Sequence, residues 1–116
     1  MHDPDLSDEL AHPGGLVVRA LKESDAFLLS LYGELDLATS SLLERKLQMA
    51  ESAGSGRVVL DLSGLQFLDS TGLHALLRAQ KRWQASGREF SLLRGPRAVH
   101  RVFELTQATR LFTFED

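Results

Sequence analysis

Residues 57–73, RVVLDLSGLQFLDSTGL, constrain this chain more than any other stretch. Val58, Val59, Leu60 and Leu62 make a dense apolar run of strand length. Such a run reads as a β-strand covered on both faces, the pattern of a parallel sheet. Gly54 and Gly56 stop whatever precedes it, and residues 63–68 read as a loop. A helix follows, with Leu73, Leu76, Leu77 and Trp83 at helical spacing, Asp69 or Ser70 as its cap and Gly87 as its stop. A covered strand that hands over to a helix is the repeating unit of an α/β fold, and the rest of the chain is read from it.

Upstream, residues 16–21 and 27–32 are β-compatible runs joined by the polar Lys22-Glu23-Ser24-Asp25, which predicts a hairpin. Gly33 then punctuates the chain. Ser41 with Glu44 three positions on fits a capping box opening an amphipathic helix to about residue 53, its apolar face made by Leu43, Leu47 and Ala50. Downstream, residues 89–93 read as a strand. Gly95-Pro96 opens a shorter helix that turns Val99, Val102 and Phe103 inward, and residues 111–114 read as a last short strand. Right-handed crossovers then give a mixed, mostly parallel sheet flanked by helices, in one domain over residues 16–116. Residues 1–15, with Asp3, Asp5, Asp8, Glu9 and two prolines, read as a flexible acidic arm.

Composition excludes several functions. The 116 residues contain no cysteine, so thiolate zinc sites, disulfides and a cysteine nucleophile are ruled out. His2, His12, His74 and His100 show no metal-ligand spacing, and no cofactor is expected. A net charge of −3 offers no electrostatic reason for direct nucleic-acid binding. No apolar run is long enough to span a bilayer. The acidic start, with no basic residue before Arg19, is unlike a targeting segment and predicts a cytoplasmic protein. Charge is also segregated. Eight acidic residues against Arg19 and Lys22 lie in residues 1–36, whereas Arg78, Lys81, Arg82, Arg88, Arg94, Arg97 and Arg101 face only Glu89 in residues 78–101. Such polarity can mark a face that meets a charged partner, although ordinary solvated helix and loop surfaces account better for most of these residues.

Loops at the carboxyl ends of strands are where α/β sheets place function, which draws attention to Asp69-Ser70-Thr71-Gly72. A phosphate on Ser70 would be favoured by the helix N-terminus, and a plain N-cap accounts for the same residues. Three other chemistries are weighed here. Ser70, His74 and Asp69 suggest a serine hydrolase, but consecutive placement makes a poor triad and the G-x-S-x-G elbow is absent. Asp61 at a strand end suggests a phospho-aspartate receiver, yet lysines occur only at 22, 46 and 81, and Asp61 fits a backbone hydrogen bond in the turn. Nucleotide binding lacks a Walker lysine motif.

Gly33-Glu34-Leu35-Asp36 after the second strand, together with Asp69-Ser70-Thr71-Gly72-Leu73 after an apolar strand and loop, resembles the STAS domain of bacterial anti-sigma factor antagonists. The resemblance covers residues 16 to about 114. It implies no enzyme but a partner switch. Ser70 would be the phosphorylated serine, modified by an anti-sigma factor that is also a serine kinase and restored by a serine phosphatase. Asp36, Asp69, Ser70, Thr71, Gly72 and His74 would form the partner-binding face. Unphosphorylated protein would sequester the anti-sigma factor, and phosphorylated protein would release it, thereby controlling transcription. The same helix face would serve a STAS subunit of a lipid-transport ABC system or of a stress-signalling complex. Two features depart from the family pattern. Asp116 closely follows the last strand, where family members usually continue into another helix, and Glu104-Leu105-Thr106-Gln107 lacks the glycine that commonly follows ELT.

Overall fold

The computed structural model describes residues 15–115, so the expected acidic arm lies, except for Gly15, outside the described residues, as does Asp116. Strands β1 (Leu16–Glu23), β2 (Ala26–Leu35), β3 (Arg57–Leu68) and β4 (Glu89–Leu93) form one sheet in the order β1-β2-β3-β4. β1 and β2 are an antiparallel hairpin turned by Ser24 and Asp25, with Ser24 in the left-handed region at φ 51. β2, β3 and β4 run parallel. The crossovers are helix α1 (Ser40–Ser52) and helix α2 (Ser70–Ala85), and helix α3 (Arg97–Leu105) follows β4.

Because β2, β3 and β4 advance in one direction across the sheet, right-handed crossovers put α1 and α2 on the same face. That face carries Leu29, Leu31, Val58, Leu60, Leu62, Phe90 and Leu92, all buried in one cluster with Leu43 and Leu47 of α1, Leu73, Leu76 and Trp83 of α2, and Val99 and Phe103 of α3. Burying aliphatic and aromatic side chains of this size contributes about 1.5–3 kcal/mol each. Val59 and Asp61, on the opposite face, are only half-buried. β3 is therefore covered on one face and not on both, as its unbroken apolar run had suggested. Arg82 ties the two crossover helices together, reaching Glu44 at 3.0 Å and Glu51 at 2.9 Å.

Four local expectations need correction. Gly33 does not end β2 but sits inside it at φ +103, where an added Cβ would lie 2.2 Å from the Gly15 carbonyl oxygen. The loop expected at 63–68 is instead the second half of β3. The register against β2 slips at Ser30/Tyr32 and again at Gly33/Glu34, so that Gly64 pairs with Tyr32 and Phe67 with Glu34. Each bulge breaks the two-residue alternation by which a strand is recognised. Asp61 Oδ1 accepts from the Ser63 N–H at 2.9 Å at the first slip, the local backbone bond expected of it. The Ser41–Glu44 capping box is not formed. α1 begins two residues earlier than that box requires, with Thr39 rather than Ser41 at its N-cap and no side-chain cap, and Glu44 turns to Arg82. Finally, residues 111–114 are not a strand. Ala108–Leu111 is a 3-10 turn, and only Phe114 makes an isolated parallel bridge, to Leu92.

Candidate functional site

The carboxyl ends of β2 and β3 lie side by side, with Leu35 paired to Leu68, and each strand hands its last residue to a loop or helix on the same edge of the sheet. After β2, Asp36-Leu37-Ala38-Thr39 forms a closed turn. Asp36 Oδ1 accepts from the N–H groups of Ala38 at 3.0 Å and Thr39 at 3.2 Å. The Thr39 hydroxyl accepts from the Asp36 N–H at 3.1 Å and donates to the Glu34 carbonyl at 2.8 Å. Asp36 is thus held by its own loop, as short polar side chains in turns are.

After β3, Asp69 is extended (φ −111, ψ −176) and caps α2, its Oδ1 accepting from the Gly72 N–H at 2.8 Å. The Asp69 N–H donates to the Leu35 carbonyl at 3.4 Å, which joins the two strand ends. Gly72 is buried at this joint. A Cβ there would meet the Leu35 carbonyl oxygen at 2.3 Å and Leu68 Cδ1 at 2.8 Å, so only glycine lets α2 come this close to β2. Gly72 therefore acts beneath the surface, setting the position of the residues before it.

Ser70, the first residue of α2, is exposed, and its hydroxyl has no hydrogen-bond partner among the described residues. Asp69 occupies the Gly72 N–H, which leaves the Ser70 and Thr71 N–H groups of the first turn open, as helix N-termini do. Thr71 is half-buried, and His74 is exposed one turn further on. No hydrogen bond links Ser70 to His74 among the described residues, and the Asp69 carboxylate faces the helix backbone, so the ingredients of a hydrolytic triad do not converge. Nor do three His, Asp or Glu side chains gather as metal ligands among the described residues.

Two residues that the sequence reading passed over complete the surface. Leu37 is 76% exposed and Phe67 is 44% exposed. Leu37 lies in the turn after β2, and Phe67 pairs with Glu34 two residues before Asp69, so both lie at the same sheet edge as Ser70. The signal for Leu37 was available: it is a large apolar residue next to the aspartate of a polar turn. Phe67 could not be found that way, because the two bulges decide which side of β3 it occupies.

The STAS domain model matches residues 18–116. The chain belongs to the STAS domain family. This STAS domain is 28% identical over 107 residues to the anti-sigma-F factor antagonist RsfB of Mycobacterium tuberculosis, covering 90% of this chain and 87% of that one. Among solved structures it is similar to an anti-sigma factor antagonist from Mycobacterium paratuberculosis, with a TM-score of 0.79 at 23% identity, covering 89% of this chain and 87% of that one. It also resembles the Bacillus cell fate determinant SpoIIAA in its phosphorylated form, with a TM-score of 0.65 at 19% identity, covering 86% of this chain and 92% of that one. Its curated relatives at this modest identity are anti-sigma factor antagonists. No helix among the described residues is long and apolar enough to cross a membrane.

Proposed function

We propose that this STAS domain is an anti-sigma factor antagonist of the cytoplasm whose hold on its partner is gated by phosphate on Ser70. The observation that carries the reading is the exposed, unpartnered Ser70 hydroxyl at the N-terminus of α2, beside the Asp36 turn and the exposed Leu37 and Phe67. Apolar side chains ringed by polar groups suit a protein partner. Ser70 lies at the same end of the sheet, one residue after Asp69, whose N–H joins the ends of β2 and β3. The open Ser70 and Thr71 N–H groups and the helix dipole favour an added phosphate, so the fold tolerates it. A partner does not. A phosphoserine brings roughly −1.5 to −2 charges to an edge that already carries Glu34, Asp36 and Asp69. A partner closing over this edge would have to bury that charge, and mismatched charge at an interface costs several kcal/mol.

In this reading the partner is an anti-sigma factor that is also the serine kinase, a serine phosphatase resets Ser70, and the protein itself catalyses nothing. That SpoIIAA has a phosphorylated form supports a phosphate-gated role for this fold. The test incubates the protein with its kinase and ATP, maps the phosphate by peptide mass, and measures partner affinity beside melting temperature. One phosphate on Ser70 is expected, with affinity lost and melting temperature kept. Ser70→Ala should go on binding under phosphorylating conditions, and Ser70→Glu should bind more weakly than wild type. Equal affinity of the phosphorylated and unmodified forms refutes the switch, and release that occurs only through unfolding refutes its electrostatic basis.

A further inference from the structure

β1 forms one edge of the sheet and pairs only with β2 among the described residues. Backbone bonds along an antiparallel pair alternate from residue to residue. Gly15, which continues the β1 register opposite Glu34, accepts from the Glu34 N–H at 2.9 Å. In that phase Val17, Arg19, Leu21 and Glu23 turn their backbone groups toward β2, and Val18, Ala20 and Lys22 turn theirs outward. An edge strand of this length invites a further strand, and proteins commonly blunt such edges with charge or proline. β1 has no proline, and its charges fall in a self-complementary order.

Leu16 and Val18 of β1 join the core under the helices, so Arg19, Leu21 and Glu23 share the opposite face of the sheet. Leu21 is 54% exposed and ends an apolar row, because it pairs with Leu28 and Leu28 with Val59, both half-buried. The row runs off the sheet at Leu21. Arg19 and Glu23 flank it two residues to either side, are exposed, and make no ion pair among the described residues. At four residues apart they are separated by roughly 13 Å along the strand, too far to pair within one chain.

We propose that the β1 edge binds a second copy of this chain, antiparallel about a two-fold axis through Leu21, joining two four-stranded sheets into one. In that register Leu21 meets the partner's Leu21, and the apolar row continues across the join. Arg19 meets the partner's Glu23, and Glu23 meets the partner's Arg19. Ala20 faces the partner's Lys22, and these are residues whose N–H and C=O groups point outward, so bonding phase and charge order agree. A slip of one residue sets outward groups against inward ones, and a slip of two sets Leu21 against a charge. Ala20 and Lys22 are exposed on the helix-bearing face, so α1 leaves this half of β1 uncovered. The contact lies beside the Ser24-Asp25 turn, at the start of β2, whereas Ser70 lies near the end of β2 at Leu35. β2 is 10 residues long, roughly 30 Å, so the dimer leaves both Ser70 edges open. Pairing over so short a stretch belongs to the small class of interface, under about 1,200 Å², and implies a Kd between about 10 μM and 1 mM.

The experiment is sedimentation of the full chain from about 10 μM to about 2 mM, with amide hydrogen exchange at both ends of the range. Wild type should pass from monomer to dimer. At high concentration the outward Ala20 and Lys22 amides should exchange more slowly, while Leu21 and Glu23, already bonded to β2, stay as they were. Arg19→Glu and Glu23→Arg each set like charges opposite one another at both ends of the contact and should weaken association about tenfold. The double variant Arg19→Glu/Glu23→Arg restores opposite charges and should return to wild-type affinity. Ala20→Pro removes an outward N–H without breaking the β2 ladder, so it should keep the wild-type circular dichroism and remain a monomer. A wild type that is still monomeric at the highest concentration, undiminished dimerisation by folded Ala20→Pro, or a double variant no tighter than its single parents overturns the proposal.

Discussion

Replacing Gly72 with alanine sets two opposite effects against each other, and the structure decides the sign. In a helix, alanine is favoured over glycine by about 1 kcal/mol. Propensity alone predicts stabilisation. However, the alanine Cβ would stand 2.3 Å from the Leu35 carbonyl oxygen and 2.8 Å from Leu68 Cδ1. Ordinary contact begins near 3.4 Å, so the first of these distances is short by about 1 Å, and the obstacle is backbone. α2 must move away from β2 or the strand end must yield, and overpacking of this kind costs about 1–3 kcal/mol or more. The same movement stretches the Asp69 cap on Gly72 and the 3.4 Å bond from the Asp69 N–H to Leu35, and a lost N-cap costs about 1 kcal/mol. We expect a net destabilisation of about 1–3 kcal/mol after the propensity gain. Urea unfolding of the variant beside wild type measures it. Gly54→Ala serves as the control, since a Cβ there meets nothing within 4 Å and the cost reduces to its φ of +76. If Gly72→Ala is as stable as wild type, or more stable, helix propensity prevails and close approach is not why this position is glycine.

Gln107 occupies the left-handed region at φ 59, in the place where the family commonly has glycine after ELT. Relief of the left-handed strain, about 1–2 kcal/mol, exceeds the entropy cost of glycine, so Gln107→Gly should raise stability by about 0.5–1 kcal/mol and a melting curve should move up by a few degrees. A lower melting temperature would show that the weak Arg110–Gln107 contact at 3.4 Å matters more than the backbone. Glu115 is held below the usual carboxylate range, first by the Ser91 hydroxyl and then by the Arg57 guanidinium, both of which donate to it. A carboxylate depressed in the folded state contributes stability that is present above its unfolded pKa of about 4.3 and lost as pH falls through the folded value. Stability should therefore decline on acidification below about pH 4.5, and Glu115→Gln should flatten that decline, as thermal melts between neutral and acid pH would show. An unchanged slope would remove Glu115 from the acid response.

The order of the main elements and the α/β class were legible in the chain because they rest on pattern: the short apolar run at Val58–Leu62 between glycines reads as a strand, and the Leu73, Leu76 and Trp83 spacing as a helix. Asp69 and Ser70 were legible because a helix N-terminus calls for short polar residues at fixed offsets, whereas Asp36 was marked only by the resemblance of its motif. What the one-dimensional pattern could not contain was anything set by strands lying beside one another. Two bulges extend β3 to Leu68 and choose the face on which Phe67 emerges, and bulges erase the alternation that would have announced the strand. Gly72 reads in sequence as a cap residue, and only its 2.3 Å approach to the Leu35 carbonyl shows that it joins α2 to β2. The steady advance of the strand order, which places both crossover helices on one face and leaves Val59 half-open on the other, is likewise a property of the sheet. Local side-chain chemistry is written residue by residue and can be read that way. Register and close approach depend on residues distant in the chain, and only the folded backbone brings them together.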